Sequence, residues 1–166
     1  MEGEQEDWQR ALAQIPLLKT EYPQFAELIE KQFQKADQAM AATSEISDPE
    51  MQAEAMQAAN EMISGSFIGK LASVQHRIER IGEKQDKLGA MRMKTSVVKK
   101  AEAAMERSNK AVRFAHNTLA NGASNLAEAE AVVGEMNSEL ITAESRLSSA
   151  IRSAKKSMHK EKIAKN

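Results

Sequence analysis

The sequence predicts an all-α protein, an elongated helical bundle or antiparallel coiled-coil hairpin with a small helical cap at its N-terminal end. Three observations carry that expectation. Apolar residues recur at helical spacing along most of the 166 residues. Prolines stand only at positions 16, 23 and 49, so everything after Pro49 lacks the strongest helix breaker. Aromatics make up 4% of the chain, so burial must come from alanine, methionine and the branched aliphatics, a supply that suits thin helix-on-helix seams.

Residues 1–46 read as an acidic N-terminal helical segment. Trp8, Leu12 and Ile15 are spaced as one face of a short helix ahead of Pro16. From Tyr22 to about Thr43, Phe25, Leu28, Ile29, Phe33, Ala36 and Met40 repeat at helical spacing, with Pro23 in the first turn, where its missing N–H does no harm. Trp8, Tyr22, Phe25 and Phe33 cluster rings in this segment, either as a cap over a bundle end or as an anchor for a partner. TSEISDPE is a loop and a new start: Ser47 and Glu50 have capping-box spacing, and Asp48 before Pro49 is the alternative N-cap.

Residues 47–166 read as long coiled-coil-like helices. Phe67, Leu71, Val74, Ile78, Ile81, Gln85 and Leu88 alternate spacings of four and three, as a coiled-coil seam does. The phase slips near 92–100, which implies a distortion, a kink or a helix boundary. From Ala101 the repeat holds its phase. Met105, Val112, Leu119, Leu126, Val133, Leu140, Leu147 and Ala154 form a mostly large stripe. Ala101, Ser108, Ala115, Gly122, Ala129, Met136, Ala143 and Ala150 form a mostly small one. Large side chains of one helix packing over small ones of another let the two approach closely.

Asn117–Glu130, NTLANGASNLAEAE, interrupts that repeat with residues that favour helix ends. A straight helix would explain the unbroken phase. A turn near 121–125 explains the cations before it, the acids after it, and the N-cap spacing of Asn125 and Glu128; the balance favours the turn. Folding there would place Glu130 near Arg113 and Glu144 near Lys99. The rival is a hairpin near Thr95.

Charge is distributed in blocks. Residues 1–62 carry four Lys/Arg against thirteen Asp/Glu, 63–118 twelve against five, 119–150 one against five, and 151–166 six against one. The net −1 therefore says nothing about partners.

Chemistry-bearing patterns are sparse. With no cysteine, thiolate metal sites and cysteine nucleophiles drop out. Paired Glu-x-x-His motifs, the metal sites of helical bundles, do not occur; His76 and Glu79 stand alone in the reverse order. GSFIGK at Gly65–Lys70 lacks P-loop spacing. The expectation is a non-enzymatic protein without catalytic residue, metal, cofactor or small-molecule substrate. It would act through coiled-coil protein–protein interaction as a scaffold, adaptor or assembly component.

The partner is then another protein or a second copy of the chain, since the Phe67–Leu88 seam needs a cover and a partner would bury Leu71, Val74, Ile78 and Ile81. The alternative is an anionic surface, membrane lipid or nucleic acid, met by the basic tail 152–166 through Arg152, Lys155, Lys156, Lys160, Lys162 and Lys165. That tail has no ring to stack on bases. The acidic start MEGEQEDW lacks signal-peptide layout and no run spans a bilayer, so the expected location is the cytoplasm, with signal-less export left open.

Overall fold

The computed structural model describes the backbone of residues 2–165, and the side chains of these apart from 2, 4, 5 and 159–165. It is all-α, with six helices and no strand among the described residues. They are α1 (Glu2–Glu21), α2 (Ala26–Ala42), α3 (Pro49–Ser64), α4 (Phe67–Gly89), α5 (Thr95–Asn121) and α6 (Leu126–Lys165), with 3₁₀ turns at Pro23–Phe25 and Thr43–Glu45. Contacts divide the chain into two compact units. Unit 1 comprises Met1–Ser73 and Thr118–Gly134; unit 2 comprises Val74–Asn117 and Glu135–Asn166.

In unit 1, α1, α2 and α3 pack on one another. Helix α1 does not stop at Pro16 as the sequence suggested; it continues to Glu21. Beyond the proline it buries Leu18, and the residue just after its end, Tyr22, is buried as well, extending the face begun by Trp8 and Ile15. That burial, of order 1.5–3 kcal/mol per large side chain, offsets the hydrogen bond that Pro16 cannot donate. Helix α3 starts with Asp48 as N-cap, its carboxylate accepting from Glu50 N–H at 3.3 Å, so the Asp–Pro start is used rather than the Ser47 box.

The sequence reading did not separate α3 from α4, yet they part at Gly65–Ser66. Buried Ser66 makes the break: its Oγ donates to the Ile63 carbonyl at 2.7 Å and accepts from Ile68 N–H at 3.2 Å. Glu130 of α6 accepts from Phe67 N–H at 2.9 Å, a carboxylate at the positive end of α4. The N-terminal rings are core: Trp8 stacks on Phe33 at 6.0 Å, and Phe25 meets Phe67 at 6.2 Å.

The chain does turn after α5. Gly122 closes that helix at φ +68°, its N–H donating to the Thr118 carbonyl at 3.1 Å. A β-carbon there would stand 2.7 Å from the Gln24 carbonyl oxygen, so glycine serves both the left-handed conformation and the close approach. Asn125 Oδ1 accepts from Glu128 N–H at 2.8 Å, and Glu128 reaches back to Ser124 N–H at 3.0 Å, a reciprocal cap opening α6.

Unit 2 is formed by the parts of α4, α5 and α6 that it contains. The phase slip at 92–100 is a helix boundary: α4 ends at Gly89 and α5 begins at Thr95. Both candidate turns therefore exist, and three helices meet in this unit. Gln85 donates to Ser108 and Asn109 across an antiparallel α4–α5 pair. Lys100 and Arg107 reach Ser153 and Glu139 across an antiparallel α5–α6 pair. Arg80 and Lys84 reach Glu144 and Ser148 across a parallel α4–α6 pair.

Candidate interaction surfaces

The pairing seam is largely consumed inside the chain. Phe67 and Leu71 are buried in unit 1, and Val74, Ile81 and Leu88 in unit 2; Ile78 is half-buried. The expectation that this seam needs a partner to cover it is corrected: all of these residues but Ile78 are buried within the chain itself. In α6 the heptad stripe is core as read, with Ala129, Val133, Met136, Leu140, Ala143, Leu147, Ala150 and Ala154 fully buried.

In α5 the small stripe is core as read, but the large one is not. Its buried face is Ala101, Ala104, Ser108, Ala111, Ala115 and Thr118, all small, while Met105, Val112 and Leu119 lie half-buried at its margin, as Leu126 does at the start of α6. Within unit 2, α5 faces both α4 and α6, and small side chains at the centre of that face let it approach both.

The expected pairs of Glu130 with Arg113 and Glu144 with Lys99 do not form. Glu130 caps α4, and Glu144 accepts from Arg80 Nη2 at 2.7 Å and Lys84 Nζ at 2.9 Å. Lys84 also donates to Ser148 at 2.7 Å. The reason is α4: lying parallel to α6 in unit 2, it brings its own cations to the Glu144 carboxylate. Burial raises the Glu144 pKa, but the hydrogen bonds from Lys84 and Arg80 outweigh it and hold the carboxyl below its usual range. One turn further along α4, the Lys87 pKa is lowered, chiefly by the neighbouring Lys155 of α6 acting through a hydrogen bond and like-charge repulsion.

Of the basic-tail candidates, Arg152, Lys155 and Lys156 are exposed, and Lys160, Lys162 and Lys165 lie outside the described side chains, as does His159. His76 and His116 are exposed, and no group of acidic or histidine side chains among the described residues is placed to hold a metal ion. No described helix is long and apolar enough to cross a membrane.

The two units carry charge of opposite sign. Unit 1 holds five Lys/Arg and fifteen Asp/Glu, a charge of −10; unit 2 holds eighteen and nine, a charge of +9. Unit 1 also carries an open groove of about 1310 Å³. Trp8, Met40, Ala41 and Met56 supply its apolar surface, and Glu6, Gln9, Arg10 and Gln52 its polar one. A smaller groove in unit 2, about 440 Å³, is lined by Leu88, Met93, Val98 and Met105 with Glu102 and Glu106. Neither was foreseen from sequence: the first is assembled from α1, α2 and α3, and the second from the two sides of the α4–α5 turn.

No protein-family model, curated protein or solved structure matches this chain.

Proposed function

We propose that this is a non-enzymatic helical protein of the cytoplasm that acts by protein–protein association, as a scaffold, adaptor or assembly component. The observation that supports this reading is the partition of charge into an acidic unit of −10 and a basic unit of +9. Paired surfaces of opposite sign steer association, reject like-charged competitors and favour one orientation of docking. The binding surface is the outside of the units rather than the heptad seam, which is already occupied.

The test compares the wild type with Glu45→Lys/Glu50→Lys/Glu54→Lys/Glu61→Lys, all exposed in unit 1. Proteins cross-linked to the tagged chain in its own cells are identified at low and high salt. A defined protein retained by the wild type and lost from the variant is expected. Equal recovery by both would remove the acidic unit from any role in association.

A second reading keeps a specific observation in its favour. Lys87 and Lys155 face each other in unit 2, close enough to lower the Lys87 pKa, and this surface suits an anionic lipid or phosphate backbone. Sedimentation with anionic vesicles, compared for wild type and Lys87→Glu/Lys155→Glu, separates the two. Vesicle binding lost in that variant, without any protein partner, would replace the first reading by the second.

A further inference from the structure

We propose that the groove of unit 1 receives the basic end of helix α6 from a second copy of the chain. This rests on the association reading above and names the partner. The groove has an adaptable apolar floor: Trp8 is held by its stack on Phe33, and Met40 and Met56 are unbranched and polarizable. Its one lining cation, Arg10, is bound to Asp7 at 3.1 Å, Glu6 adds a carboxylate to the lining, and the whole unit stands at −10. At about 1310 Å³ the groove exceeds the ~300–1,000 Å³ usual for small-molecule sites, which leaves room for a larger occupant such as a helix end. Its complement is an apolar knob flanked by positive charge.

The chain itself presents such a segment. Four large apolar side chains are exposed among the described residues: Leu17, Met51, Ile141 and Met158. Leu17 and Met51 belong to the acidic unit, and Ile141 stands one turn from Glu144. Met158, 44% exposed, alone lies among exposed cations, with Arg152 and Lys155 preceding it at successive spacings of three along one stripe of α6 and Lys156 beside it. Seating Met158 against Trp8, Met40 and Met56 would bring Arg152 and Lys155 toward Glu6 and into the field of the acidic unit. Because donor and acceptor surfaces differ, the contact is heterologous, and copies can add in series or close into a ring.

The experiment uses the full chain, with Trp8, its one tryptophan, as a reporter inside the groove. Sedimentation velocity and tryptophan emission are followed from low to high micromolar protein, at about 20 mM and about 500 mM salt, where screening lengths differ several-fold. At low salt the mass should rise with concentration and the emission maximum should move in step. At high salt the apparent Kd should weaken by about tenfold or more. Met158→Asp and Lys155→Glu/Lys156→Glu alter exposed positions. Each should keep the wild-type melting curve, stay monomeric and hold the emission of dilute wild type.

A monomer at every concentration overturns the proposal. So does self-association that leaves the emission fixed and ignores Met158→Asp, or an emission change independent of concentration. If the chain stays monomeric while a different protein still cross-links to it through the acidic unit, the second copy is excluded and the association reading stands.

Discussion

Gly122→Ala tests the turn that divides α5 from α6. Two costs combine. At φ +68° an alanine occupies the left-handed region, at about 1–2 kcal/mol, partly offset by about 0.4–1 kcal/mol from a stiffer unfolded chain. The new β-carbon would also stand 2.7 Å from the Gln24 carbonyl oxygen and 2.9 Å from the Gln24 β-carbon. The carbonyl belongs to the backbone of the 3₁₀ turn at Pro23–Phe25 and cannot rotate away, so a shift comparable to overpacking, about 1–3 kcal/mol, is needed. The expected loss is about 2–4 kcal/mol, or roughly 5–15 °C in Tm for a chain of this size. Thermal and urea unfolding followed by far-ultraviolet circular dichroism measure it. Gly82→Ala is the control: it is helical, nothing lies within 4 Å of its β-carbon, and it should gain about 0.5–1 kcal/mol. If Gly122→Ala melts with the wild type while Gly82→Ala behaves as expected, the left-handed, closely packed turn is wrong.

Further outcomes follow from the same packing. Ala115→Leu, at the centre of the buried small face of α5, should cost about 1–3 kcal/mol, whereas Val112→Leu at its half-buried margin should cost less than about 1.5. The reverse order would restore the large stripe as the core face. Glu144→Gln removes the charge that Arg80 and Lys84 share and should destabilise by about 1–2 kcal/mol at neutral pH, discounted for the partial exposure of both cations. The folded-state Glu144 pKa is lowered, so its contribution is fully present above the ordinary value of 4.5 and fades as pH falls through the lower, folded-state value. The stability gap between wild type and Glu144→Gln should therefore close in acid, and a gap that persists or widens there would contradict the assignment. Glu130→Ala, which strips Phe67 N–H of its acceptor, should lower stability by about 1–2 kcal/mol without changing helix content at low temperature.

How much was legible depended on how many helices a feature involves. Helicity itself, the turn near 121–125 and the N-cap spacing of Asn125 and Glu128 are set by neighbours in sequence, and each was readable. The α6 stripe was readable too, because one heptad phase runs unbroken from Ala129 to Ala154. In α5 the same reading was right for Ala101, Ser108 and Ala115 and one position off for the large residues beside them. Large and small stripes lie side by side on that helix, and only the presence of both α4 and α6 in unit 2 decides that Ala104 and Ala111 are central and Met105 and Val112 marginal. The partner of Glu144 was misassigned for the same reason, since pairing α5 with α6 alone leaves Arg80 and Lys84 out of view.

The charge partition shows the same dependence and bears most directly on function. Along the sequence the acidic stretch 119–150 looks like one block, but the unit boundary falls within it: Glu128 and Glu130 belong to unit 1, and Glu135, Glu139 and Glu144 to unit 2. In unit 2 two of those acids are consumed locally, Glu144 by Arg80 and Lys84 and Glu139 by Arg107 at 3.2 Å. The exposed cations of that unit, Arg152, Lys155 and Lys156 among them, thus keep their field, while unit 1 keeps its excess of acids. A sequence pI near 6.3 suggests a weakly charged molecule; two units near ten charges of opposite sign make a strongly charged one whose total cancels. Such a molecule cannot rely on net repulsion to stay apart from its own copies near neutral pH. With a screening length of about 8 Å at physiological salt, the attraction acts at contact range, where a groove fitted to one helix end can select among the possible encounters.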